Sequence, residues 1–178
     1  MRMKLALVVL TLLALVIASA CGSDDDDTDS TEPTSDSIGE PAGQPEPDAP
    51  TVSINATEIA VGDEGEAVLT VLNFDAPGLG AWTVDIEYDN SIVSVILCEP
   101  LPESNVCNPE FDDDVVRIVG ASGTGLEGTT VIGRITFQCD AAGESNLGLS
   151  IETFADGTIG APQELVPFIE NGAITCTE

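Results

Sequence analysis

The stretch from Thr51 to Glu178 is predicted to be an all-β domain of two packed sheets, and three observations predict it. Val, Ile, Thr and Leu come in short runs broken by Gly, Asn, Asp and Pro, the composition of strands and turns. Residues 81–88 alternate Trp82, Val84, Ile86 and Tyr88 with Ala81, Thr83, Asp85 and Glu87, the period of two of a strand with one dry face. No segment carries the apolar period of a long amphipathic helix. A stretch of this length suits one two-sheet sandwich.

Taken in order, the predicted strands are 51–60, 66–74, 81–88, 92–97, 115–121, 130–139, 146–153 and 172–177. Trp82 falls on the inward phase of the third and is a core candidate. Leu147, Leu149 and Ile151 repeat the alternation in the seventh. Residues 135–139 and 173–176 are strand-like runs that end on Cys139 and Cys176, both on the phase of their apolar neighbours, so both thiols are expected to point inward.

Ahead of this domain the chain changes character twice. Arg2 and Lys4 precede an apolar and small-residue run from Leu5 to Ala18, followed by Ser19, Ala20 and Cys21, the layout of a signal peptide over residues 1–20. At 14 residues the run is short for a bilayer span of about 20. Ile17-Ala18-Ser19-Ala20-Cys21 resembles the lipobox of bacterial lipoproteins, which implies a diacylated Cys21 as the first residue of an exported chain, membrane-bound through its lipid alone. Residues 21–50 then read as an acidic, Pro-rich tether: after Cys21 they hold ten Asp or Glu, five Pro and no Lys or Arg.

Without residues 1–20 the chain keeps two cations, Arg117 and Arg134, against 32 carboxylates, a formal charge of −30. Such a field repels phosphate backbones and anionic headgroups, which argues against nucleic acid and against membrane-surface binding by the domain. Cys98, Cys107, Cys139 and Cys176 remain besides Cys21, and in an exported chain two disulfides are the default. Pro100, Pro102 and Asn105 make the chain turn back between Cys98 and Cys107, so that pair is expected to close locally, leaving Cys139 for Cys176.

Several motifs occur in a fixed order: Val61-Gly62-Asp63, Gly78-Leu79-Gly80-Ala81-Trp82-Thr83-Val84-Asp85-Ile86-Glu87-Tyr88-Asp89, Ile92-Val93-Ser94-Val95, Ser122-Gly123-Thr124-Gly125, Ile132-Gly133-Arg134-Ile135-Thr136-Phe137, Phe154-Ala155-Asp156-Gly157 and Asn171-Gly172-Ala173-Ile174-Thr175. In that order they resemble a cohesin domain, the dockerin-binding module of cellulosome assembly. The resemblance covers Thr51–Glu178 and implies a nine-stranded jelly-roll β-sandwich, a fold shared with carbohydrate-binding modules. It also implies a non-catalytic module that docks a protein partner, such as a dockerin-bearing, polysaccharide-degrading enzyme; a carbohydrate-binding surface module is the alternative. The positions matching the family's contact residues are Ala81, Thr83 and Ala121. Two of these are methyl groups, so the implied partner surface, extended by Asp85, Glu87, Arg117 and Val119, is one of different specificity.

Enzyme chemistry finds little to work with. Histidine is absent, the domain has no lysine, and its cysteines are expected to be oxidised. A glycosidase or a sugar platform needs exposed rings, whereas Trp82 and Tyr88 fall on the inward phase, and Phe74, Phe111, Phe154 and Phe168 would have to leave the core. No cofactor is expected. Calcium is the one metal with suitable oxygen ligands, in Phe111-Asp112-Asp113-Asp114 and Asp63-Glu64-Gly65-Glu66, but adjacent carboxylates cannot converge on one ion, and both read as solvated loops.

Overall fold

The computed structural model describes residues 49–101 and 105–178. The leader, Cys21 and nearly all of the acidic stretch lie outside the described residues. Nine strands form: β1 (Thr51–Ile54), β2 (Thr57–Ala60), β3 (Glu64–Glu87), β4 (Val93–Pro100), β5 (Val106–Asp112), β6 (Val115–Cys139), β7 (Gly143–Asp156), β8 (Phe168–Glu170) and β9 (Gly172–Thr177). No described residue is helical.

The strands make a curled sheet that doubles into the two layers of a jelly-roll sandwich. One layer runs β4, the C-terminal half of β6, the N-terminal half of β3, β1 and β8. The other runs β5, the N-terminal half of β6, the C-terminal half of β3, β7, β9 and β2. β3 and β6 thus belong to both layers. Each merges two of the strands expected from sequence, and their mutual register slips repeatedly between Leu69 and Ala81, where they cross over. Gly125 marks the crossing: its φ is +75°, and a Cβ there would strike the carbonyl oxygen of Pro77.

The run 51–60 is not one strand but two. Asn55 interrupts it, its side-chain oxygen accepting the Val68 N–H, and the chain passes from β1 in one layer to β2, which pairs with β9 in the other. β5 and β8 are additional strands. β8 is short, has no buried residue and is paired with β1 in parallel, so it lacks the alternating apolar pattern by which a strand is read.

Between the layers lies one core. Trp82, Leu69, Val84, Ile86, Ile118, Phe137, Leu147 and Ile174 are all essentially inaccessible, so the inward phase of each long strand is apolar as the alternation requires. The ring of half-buried Tyr88 meets Phe137 edge-on at 5.6 Å.

Both disulfides cross from layer to layer. Cys98 on β4 bonds Cys107 on β5, with Cα atoms 6.0 Å apart, at the seam where the two strands are outermost. Cys139, ending β6, bonds Cys176 on β9, with Cα atoms 5.7 Å apart and both side chains buried.

Candidate functional site

The C-terminal half of β3 and the N-terminal half of β6 lie side by side, with Ala81 opposite Ala121, Thr83 opposite Val119 and Asp85 opposite Arg117. Trp82, Val84, Ile86, Val116 and Ile118 are buried, so the alternate set lies on the outer face. Six of the seven sequence-predicted surface residues therefore form three facing pairs. The seventh, Glu87, stands opposite Val115 and extends the row.

β5 and β7 widen the face. Val106 lies opposite Val119 and Asn108 opposite Arg117, while Thr153 lies opposite Thr83 and Gly148 opposite Glu87. The sequence reading missed the β5 residues because Pro109 and the disulfide interrupt the alternation there. The signal available was Val106-Cys107-Asn108, in which the half-cystine takes the inward phase. Asn105 fixes the end of this column: its oxygen accepts the Ala121 N–H at 3.1 Å and its amide donates to the Leu101 carbonyl at 2.9 Å.

Two kinds of chemistry share the face. At its centre Val106 and Val119 stay 61% and 40% exposed, beside Thr83 and the methyl groups of Ala81 and Ala121. Toward the β5–β6 turn sits a locked charge cluster. Arg117 donates from Nε to Asp85 Oδ1 at 2.6 Å and from Nη2 to Oδ2 at 2.5 Å, a two-point clasp. Its guanidinium carbon lies 3.6 Å from the centroid of the Phe111 ring, a cation–π contact. Hydrogen bonding to Asp85 pushes the Arg117 guanidinium above its already high ordinary value, so it remains charged.

Carboxylates border this cluster: Glu87, Asp112, Asp113 and Asp114 are exposed. Their field is visible in Tyr88, whose phenol is pushed up, first by burial and then by Asp114, Asp113 and Glu110. The other domain cation, Arg134, is bound to Glu66 at 2.7 Å, away from the face.

Two of the phenylalanines assigned to the core are not in it. Phe74 and Phe154 are buried, but Phe111 and Phe168 are about two-fifths exposed: Phe111 is drawn out over Arg117, and Phe168 sits on the outermost strand β8. As for calcium, Asp112 accepts the N–H of Asp113, and Glu66 is committed to Arg134. Among the described residues no group of three or more His, Cys, Asp or Glu is placed to hold a metal ion.

The chain matches no protein-family model. It matches no curated protein either. Solved structures do match. The seventh ScaB type I cohesin of Pseudobacteroides cellulosolvens superposes with a TM-score of 0.64 at 19% identity, over 72% of this chain and 92% of that one. A type I cohesin–dockerin complex from Clostridium thermocellum matches at 0.62 and 20% identity, over 72% of this chain and 99% of that one. A non-cellulosomal cohesin of the hyperthermophilic archaeon Archaeoglobus fulgidus matches at 0.61 and 17% identity, over 73% and 92%. At these identities the likeness establishes the fold: the domain is a cohesin-type jelly-roll β-sandwich.

Proposed function

We propose that this cohesin-fold domain is a non-catalytic docking module that binds a protein partner, a dockerin borne by a polysaccharide-degrading enzyme, through the β5–β6–β3–β7 face. The observation that carries the reading is the exposed pair Val106 and Val119, facing each other across β5 and β6 beside the Arg117–Asp85 clasp. Faces with an apolar centre and a polar rim suit protein partners, and side chains held before binding lower the entropy lost on association. Phe111 and Asp85 hold Arg117 in this way. The carboxylate border selects a partner with Lys or Arg around an apolar centre. Clostridium thermocellum cohesins in structures of this fold are complexed with dockerins, which supports the choice of partner class.

The same reading makes the chain an exported lipoprotein. Acylation of Cys21 and the acidic tether would hold the domain outside the cytoplasm and away from the membrane surface. Changing Cys21→Ser should release the protein from membranes, and a wild-type chain without an acyl mass on its first residue contradicts the anchor.

Calorimetric titration of the mature chain against a panel of dockerins and polysaccharides tests the function. Saturable binding of a dockerin with no response to polysaccharide is expected. Polysaccharide binding with no dockerin response would reverse the assignment in favour of a carbohydrate-binding module.

A further inference from the structure

A second surface lies on the other side of β7 from β3. β7 pairs with β9 through Gly143–Leu147 and with β3 through Gly148–Asp156. At its far end Ala155 bridges Glu164, and Leu165 N–H donates to the Phe154 carbonyl. Between these two covered ends, no strand among the described residues lies on the outer edge of β7. What occupies it is a side chain: Leu149 N–H donates to Asn171 Oδ1 at 2.9 Å. Hydrogen-bonding direction alternates along a strand, so Ile151, two residues on, turns its N–H and C=O to this same open side. A bulge between Ile151 and Thr153 ends the regular ladder, so the groups open to pairing are the C=O of Leu149 and the N–H and C=O of Ile151.

The open edge gives onto a groove of about 340 Å³ walled by Leu165, Val166, Pro167 and Ile169. Val166 is 91% exposed, an unusual placement for a valine beside an unpaired edge. Both charged residues lining the groove, Glu152 and Glu164, are acidic. The two cations of the domain, Arg117 and Arg134, are engaged elsewhere, with Asp85 and Glu66.

We infer that this edge and groove bind a short extended segment of a basic partner protein by strand addition. The Leu149 C=O and the N–H and C=O of Ile151 supply the pairing, the apolar wall takes an alternate side chain, and Glu152 and Glu164 meet its Lys or Arg. A second copy of this chain is disfavoured as occupant. Its formal charge of −28 repels itself, and an added copy of this strand would bring further glutamates to the same groove. This site shares β7 with the docking face but uses that strand's outer edge, whereas the apolar centre of the face lies across β3 on β5 and β6.

The test is an NMR titration of the domain with two synthetic peptides, Lys-Val-Thr-Ile-Arg-Val and the same peptide with Glu in place of Lys and Arg. The cationic peptide is expected to shift the amides of 148–151 and 165–169 and to slow hydrogen exchange at Ile151, while the acidic peptide leaves both unchanged. Ile151→Pro removes the outward donor, and with it a side chain packed against the core, and should weaken binding about tenfold in a domain shown by its NMR spectrum to remain folded. Val166→Asp, at a fully solvated site that cannot disturb the core, should weaken the same peptide by a comparable factor. Four outcomes overturn the inference: no binding of the cationic peptide, equal binding of both peptides, wild-type affinity in both variants, or a dimer in sedimentation that protects Ile151 without peptide.

Discussion

Gly120 lies against the indole of Trp82: a Cβ at position 120 would fall among Cε2 and Cζ2 of the ring and also press on Cγ of Asn105. Trp82 is buried and opposite Gly120 in the β3–β6 ladder, so the missing side chain is what admits the largest residue of the core. Gly120→Ala should therefore destabilise the domain by about 1–3 kcal/mol, the usual range for overpacking. Trp82 is the one tryptophan in the chain, so its fluorescence during urea unfolding reads the change directly. An unshifted midpoint would show that the indole has room to move.

The two disulfides should differ in what they contribute. In the chain-entropy model a closed loop of nine residues' separation constrains the unfolded chain by about 3 kcal/mol, and one of 37 by about 4 kcal/mol. Replacing Cys139 and Cys176 by Ala should thus lower stability more than replacing Cys98 and Cys107 by Ser. The difference should be amplified because the Cys139–Cys176 pair is buried whereas Cys98 and Cys107 are partly exposed. Chemical denaturation of the two double variants gives the order; the reverse order would contradict it.

Much of the fold was legible because alternation is a local signal: Trp82, Val84 and Ile86 announce their inward phase whatever they pack against. The crossing of β3 and β6 was not, since residues 75–80 and 122–129 carry Gly, Pro and Asp that read as loops. They remain paired across the corner through close backbone approach at Gly78 and Gly125. At the docking face, Ala81, Thr83, Asp85, Arg117, Val119 and Ala121 could be placed on one side by phase and likeness. What no phase rule supplies is the partner strand. That Arg117 pairs with Asp85, and that Phe111 leaves the core to cover it, follows from a register set across a sequence separation of 32 residues.

Acid should release the loop that follows β7. Asp156 accepts the Gln163 N–H at 2.9 Å and both the N–H and the hydroxyl of Thr158 at 3.0 Å. These bonds, that from Gln163 foremost, hold its carboxyl below the usual carboxylate range. A depressed folded-state value means that the stabilisation is complete above the unfolded value of about 3.9 and is lost as pH falls through the lower folded one. Asp156→Ala should therefore lower the melting temperature near neutrality, and the gap from wild type should close below about pH 4. Melting curves of both proteins across that range check the sign; a gap that widens in acid would refute the assignment.

The docking face itself is tested most directly by one substitution at its centre. Val119 is solvent-exposed on a strand whose fold depends on the opposite phase, so Val119→Asp adds a charge to the face without entering the core. Ile159→Asp, at a residue 91% exposed outside the face, is the control. Titrated calorimetrically with the dockerin that binds the wild type, Val119→Asp should lose at least about thirtyfold in affinity, the size of a hot-spot loss. Ile159→Asp should bind as the wild type does. Wild-type affinity in Val119→Asp would contradict the account.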